Sequence, residues 1–322
     1  MLEIKNISKD FMVKDEKNKL KNPVLDYFFG KKIPKRVIHN IDFRINEGEI
    51  VGYIGTNGAG KSTSIKMMCG ILQPTSGEIL LNGQSLLEDR KKYNRQMGVV
   101  FGQKTHLWWD LPLTETFKIL KEIYKIEQEA YEKRIVELSE LLDLKEFINT
   151  PVRALSLGQR MRADLAAAFL HSPKLLFLDE PMIGLDIVIK EKIRDFLAHV
   201  NKNYKTTIVF TSHDFHEIEF LCKRIIIIDK GKLTFDGNIQ ELRKKIPYEK
   251  RVNVKLKNFD LDKIVNVVGE HSFEKESNFV SFNTKNDEDT TKKIGEIFEK
   301  FVVEDITIEN INLEDILKLL WK

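Results

Sequence analysis

The chain reads as an α/β protein with a largely parallel sheet around a phosphate-cradling glycine loop, followed by a small α+β domain. Three observations carry that expectation. Strand-length apolar runs at residues 175–178, 207–210 and 225–228 are separated by helical stretches, the alternation that builds parallel sheets. The segment GTNGAGKST, Gly55 to Thr63, lies between an apolar run and a helical pattern carrying Ile65, Met68 and Cys69. Past about Asp236 the composition turns to Lys, Asn, Asp and Glu, and short alternating runs return.

In chain order, residues 2–7 alternate apolar and polar side chains as a first strand, ending near Phe11. Residues 14–36 look like an insertion in which eight basic residues outnumber Asp15, Glu16 and Asp26. Two readings stay open: a solvated loop whose Leu25, Phe28 and Phe29 tuck inward, or a basic, aromatic face resting on a membrane surface or membrane subunit. Residues 37–45 and 49–54 supply strands on either side of an Asn46–Gly48 turn. After the loop helix come a turn at residues 73–77, a strand at 78–81, a turn at Asn82–Gly83 and a strand at 97–101. Residues 113–144 change to helical spacing, marked by Phe117, Leu120, Ile123 and Tyr124, then Ile135, Leu138, Leu141 and Leu142. That block forms a helical subdomain of about residues 106–172 within a first domain of residues 1–236. Residues 237–322 form the small α+β domain, with alternation at Val252 to Leu256, Val280 to Phe282 and Ile306 to Ile308.

Composition narrows the partners. A net charge of +3 gives no global reason to expect nucleic acid. No run approaches the roughly 18 apolar residues of a membrane span, and the first residues lack the pattern of a signal peptide, so a cytoplasmic protein is expected. Cys69 and Cys222 read as reduced, buried small hydrophobes. His213 and His216 are three apart without a third ligand nearby, too few for a metal site.

The chemistry gathers at two places. Gly55, Gly58 and Gly60, with Thr56, Asn57 and Ala59 between them, let the backbone wrap a phosphate with its amides turned inward. Lys61 is placed to reach β- and γ-phosphates, Ser62 to put a hydroxyl on Mg²⁺, and Thr63 continues the loop into the helix. The run 175–178 delivers Asp179 and Glu180 at the carboxyl end of a buried strand, where α/β folds hold ligands. Asp179 suits a Mg²⁺-supporting carboxylate, and Glu180 suits the base that orients and deprotonates an attacking water.

Together with VVFGQ, LSLGQR, LLFLDE and TSHD, these residues resemble the nucleotide-binding subunit of ABC transporters, over roughly residues 1–236. The resemblance implies a P-loop NTPase core of ABC type, ATP and Mg²⁺ as ligands, and ATP hydrolysis. It implies that Ser156, Gly158 and Gln159 of LSLGQR contact a γ-phosphate held by the opposite subunit, with Leu157 where a second glycine often stands. Gln103 becomes the Q-loop glutamine near Mg²⁺ and water, and Asp186 closes the IGLD turn that passes between subunits. His213 becomes the switch histidine, and Phe11 the aromatic that stacks on adenine. The implied partners are a second ABC ATPase subunit, identical or related, and a separate transmembrane permease on the inner face of the membrane. Export is the direction the details resemble. Two alternatives stay open: a regulatory ATP-binding subunit with weak hydrolysis, and a soluble ABC ATPase outside transport. Trp108 and Trp109 lie in the region that receives the permease. An extended backbone before Pro112 would turn one inward and one outward, whereas curvature of the loop would bury both.

Overall fold

The computed structural model describes residues 1–15, 31–102, 104–257, 261–269, 273–276 and 279–320. These fall into two units, Met1–Gly237 and Asn238–Lys322.

The first unit opens with β1 (Leu2–Lys14), β2 (Lys32–Ile45) and β3 (Ile50–Gly55), followed by α1 (Lys61–Met68). Next come β4 (Ser76–Leu81), β5 (Gln84–Ser85), α2 (Arg90–Asn94) and β6 (Met97–Phe101). Three helices follow: α3 (Leu113–Tyr124), α4 (Gln128–Leu141) and α5 (Leu157–Phe169). The rest alternates: β7 (Leu175–Asp179), α6 (Ile187–Tyr204), β8 (Thr207–Thr211), α7 (Phe215–Leu221), β9 (Arg224–Asp229) and β10 (Lys232–Asn238).

Two sheets organise this unit. The order β2-β1-β4-β5 is antiparallel, and β10-β9-β3-β8-β7-β6 is parallel from β9 through β6. The parallel strands carry unbroken apolar runs through their centres because both faces are covered. Leu175 to Leu178 and Ile225 to Ile228 are all buried. Leu2, Ile4, Phe43 and Ile45 of the first sheet share one core with Tyr53, Phe177, Val209 and Ile226 of the second and with Ile65 and Met68 of α1. The helix that starts at the glycine loop is therefore held by a large common core.

Several elements depart from expectation. β1 runs past Phe11 to Lys14, which pairs with Lys32, so the basic residues Lys32, Lys35 and Arg36 belong to β2. Leu25, Phe28 and Phe29 lie outside the described residues. The helical block is broken where Lys125 takes a left-handed conformation (φ 55°) and ends α3. β10 turns back on β9 through Lys230 and Gly231, both at positive φ, a two-residue hairpin turn.

The second unit contains α8 (Ile239–Arg243), β11 (Lys250–Leu256), α9 (Leu261–Val268), β12 (Phe273–Glu276), β13 (Phe279–Thr284), α10 (Asp287–Lys300), β14 (Val303–Asn310) and α11 (Leu313–Leu320). Its antiparallel sheet, ordered β12-β13-β11-β14, has its own core of Val252, Val254, Leu256, Ile264, Val280, Phe282 and Ile297.

Candidate functional site

The glycine loop is shaped by what surrounds it. At Gly55 a Cβ would stand 2.2 Å from the carbonyl oxygen of Ile228, so only glycine lets β3 lie this close to β9. Gly60 combines φ +100° with a Cβ position 2.5 Å from Ile38 Cδ1. It caps α1 without a side-chain hydrogen bond, which leaves the amides of the first turn available to an anion. Beneath the loop, Tyr53 donates from its hydroxyl to Ser64 Oγ (2.8 Å), and Ser64 donates to the carbonyls of Gly60 and Lys61. Thr56 donates to Asp229 Oδ1 at 2.9 Å.

Lys61 folds back over its own loop. Its Nζ donates to the carbonyls of Gly55 (2.7 Å) and Thr56 (3.3 Å). Burial pulls the amine below its ordinary range, and the charges of Glu180 and Asp179 oppose that shift.

The carboxylates arrive at the end of β7. Thr211 at the end of β8 donates to Asp179 Oδ1 (2.8 Å) and accepts from the Glu180 amide (3.0 Å). One hydroxyl thus fixes both acidic residues. Glu180 sits at φ +57°, a conformation non-glycine residues rarely take and which clusters at functional sites. Its Oε2 accepts from the His213 amide (3.2 Å), and His213 Nε2 lies 3.2 Å from its Oε1. Oε1 is buried and accepts no hydrogen bond among the described residues. Burial raises the Glu180 pKa, and the nearby charge of Asp179 adds to it. His213 and Lys61 pull the other way.

These groups line one cleft of about 600 Å³: Thr56, Asn57, Gly58, Gly60, Lys61, Ser62, Thr63, Asp179, Glu180 and His213 all face it. Gly55 and Ala59 shape the loop from behind. Gln103 lies outside the described residues, but Gly102 before it donates its amide to the Asp179 carbonyl at 2.8 Å. Phe11 is not among the described residues lining the cleft. It pairs with Lys35 across the β1–β2 hairpin, with Lys9 Nζ 5.4 Å from its ring centre.

Ser156, Gly158, Gln159 and Asp186 are likewise not among the described residues that line this cleft. Ser156 caps α5 in a capping box: its hydroxyl accepts from the Gln159 amide (3.2 Å), and Gln159 Oε1 accepts from the Ser156 amide (2.9 Å). Asp186 caps α6 by accepting from the Ile189 amide. A Cβ on Gly158 would stand 3.2 Å from Ile189, and one on Gly184 3.4 Å from Leu157. The LSLGQR and IGLD segments therefore pack together.

Sequence reasoning missed Val37, which lines the cleft, and the partners Thr211 and Asp229. Thr211 was visible inside TSHD, but nothing in the sequence shows that two strand ends meet. Both tryptophans are exposed, Trp108 at 39% and Trp109 at 48%. The backbone turns there, with the Leu111 amide donating to the Trp108 carbonyl, so the two side chains do not alternate as in a strand.

Oxygen chemistry suits Mg²⁺ here. The Ser62 hydroxyl and the Asp179 carboxylate reach the same cleft, and Mg²⁺ takes few protein ligands when phosphates supply the others. Among the described residues no group of three or more His, Cys, Asp or Glu could hold a metal by itself.

The chain is similar to several known proteins. The family model described as "ABC transporter" matches residues 38–183. The chain is 30% identical over 215 residues to the ABC transporter ATP-binding protein NatA of Bacillus subtilis (strain 168), covering 67% of this chain and 87% of NatA. It is 33% identical over 214 residues to the linearmycin resistance ATP-binding protein LnrL of the same organism, covering 66% and 67%. Among solved structures, the dimeric post-hydrolysis state of the ATP-binding cassette MJ0796, bound to ADP and Pi, superposes with a TM-score of 0.63. It shares 26% identity, over 74% of this chain and 99% of the cassette.

Proposed function

Because this chain belongs to the ABC transporter family, as an ATP-binding subunit and ATPase, we propose that it works as one of a pair beneath a separate membrane-spanning permease and drives export. One observation carries the pairing. The cleft gathers the phosphate loop, Asp179, Glu180 and His213, yet Ser156, Gly158 and Gln159 are not among its described lining residues. A second subunit brings its own Ser156 cap to the γ-phosphate and completes the site. Leu157, Ile183, Ile187 and Val188 form an exposed apolar rim around that cap, 45–69% accessible, as a contact face needs. Leu157 in place of glycine fits such a rim.

Within the site, loop amides and the α1 terminus cradle the phosphates, and Lys61 turns from its carbonyl contacts to the β- and γ-oxygens. Glu180 Oε1, buried and without a hydrogen bond among the described residues, orients a water and takes its proton as the water oxygen bonds to the γ-phosphorus and the bond to ADP breaks. His213 holds Glu180 and reads the γ-phosphate. Ser62, Asp179 and Gln103 would hold Mg²⁺, which supplies charge neutralisation on the phosphates.

The permease reading draws on a groove of about 310 Å³ bordered by Ile71, Val99, Phe101, Leu120 and Tyr124, and on the exposed Trp108 and Trp109 nearby in sequence. Among the described residues no helix is long and apolar enough to cross a membrane. In this reading the permease holds the subunit at the inner face. Export follows the resistance-named relative LnrL.

The deciding experiment is Glu180→Gln. ATP binding is retained, hydrolysis slows by about 10²–10⁴, the usual worth of a general base, and light scattering detects an ATP-stabilised pair. Unchanged turnover removes Glu180 from its role, and a chain that stays single when saturated with ATP overturns the pairing.

A further inference from the structure

α5 carries a buried carboxylate that hydrolysis by Glu180 does not account for. Asp164 is 6% exposed on an alanine-rich helix, where an acid is costly unless its oxygens are used. One oxygen is used twice. Asp164 Oδ1 accepts from the Thr105 hydroxyl (3.0 Å) and from the His106 amide (3.1 Å), while Thr105 Oγ1 accepts from the Leu107 amide (3.1 Å). Burial raises the carboxyl to about 6, and the His106, Thr105 and Arg160 contacts restrain the rise.

A second tie lies one helical turn away. Arg160, four residues before Asp164 and so on the same face of α5, sets its guanidinium 4.8 Å from the Trp109 ring centre. The Arg153 amide donates to the Trp109 carbonyl at 2.9 Å. Residues 105–109 are thereby fastened at both ends to the helix that begins at the Ser156 cap.

We propose that Asp164 is a positioning residue for hydrolysis, joining the Thr105–Trp109 segment to α5 so that the chain following Gln103 and the helix behind Ser156 move as one body. The proposal rests on the reading of Ser156 as the cap that contacts the γ-phosphate in a pair. A shift at that cap reaches the exposed tryptophans through two side chains on one helix face, and a shift at the tryptophans returns the same way.

The test uses the full chain, with amide hydrogen exchange over residues 104–109 and steady-state ATPase measured side by side. Asp164→Ala removes the acceptor. Exchange at Thr105 to Leu107 accelerates, and kcat falls about tenfold while KM for ATP stays put, as expected when a group is misplaced and substrate binding stays intact. Asp164→Asn keeps an acceptor oxygen and restores both slow exchange and kcat. Thr105→Val reproduces part of the loss and adds nothing to Asp164→Ala, as for two ends of one interaction. Equal kcat in wild type and Asp164→Ala overturns the proposal, as does failure of Asn to rescue or a rise in KM at constant kcat. Glu180→Gln separates the two ideas. If that change abolishes turnover while Asp164→Ala leaves it intact, the ATPase reading stands and the positioning role falls.

Discussion

Thr211 shows how much a single side chain settles. Its hydroxyl donates to Asp179 and accepts from the Glu180 amide, so it aligns the proposed metal-side carboxylate with the proposed base. Thr211→Val keeps the shape of the strand end and removes both bonds. We expect kcat to fall with little change in ATP affinity, measured by steady-state kinetics and calorimetric titration, and unchanged kcat would show that the strand ends alone suffice. Asp164 supplies a stability test with a definite sign. Its folded carboxyl is raised to about 6, so folding disfavours its charged form, and its stabilising contribution is lost as pH rises through that value. Asp164→Asn is therefore expected to melt higher than wild type at pH 8. The advantage shrinks as pH falls through about 6 towards the ordinary carboxylate value. The His106 amide, the Thr105 hydroxyl and the charge of Arg160 all favour the charged carboxylate, but burial outweighs them and the order stands.

At the level of elements, helix starts carry the design. Ser156 and Gln159 satisfy each other's amides, so Ser156→Ala should cost about 1 kcal/mol of stability, read from denaturant midpoints. Gly60 serves the opposite purpose, opening α1 without a side-chain cap. Gly60→Ala places a methyl against Ile38 at an unfavourable φ, and the expected outcome is loss of nucleotide binding along with stability. Much of this level was legible. Unbroken apolar runs at 175–178 and 225–228 mark strands buried on both faces, and GTNGAGKST names its own turn and helix. Other elements carried weaker signals. α2 is a five-residue helix with little periodicity, betrayed only by Asp89, which accepts from the Lys92 amide as its cap. β10 alternates exposed and half-buried residues without an apolar core run, and the pairing with β9 that makes it a strand is set by the Lys230–Gly231 turn. Within the site, the motifs named the phosphate-loop residues, Asp179, Glu180 and His213 that line the cleft. The meeting of Thr211 with Asp179, and of His213 with Glu180, was not legible, because adjacency of β7 and β8 depends on the order of strands across the whole sheet.

For the whole molecule, the two units each bury their own core. All the proposed nucleotide contacts fall in Met1–Gly237. Scanning calorimetry is expected to show two transitions, of which saturating nucleotide raises one. A site filled at a hundredfold over its dissociation constant adds about 2.7 kcal/mol to the unit that binds. A single transition, or equal shifts of both, would show that the units unfold together.

The inward bend of Lys61 has a consequence for speed. Its ammonium donates to the Gly55 and Thr56 carbonyls, so a phosphate that engages Lys61 must exchange those two neutral acceptors for its own charged oxygens. Charged acceptors make the stronger bonds, so the exchange is expected to act on how slowly the nucleotide leaves more than on how fast it arrives.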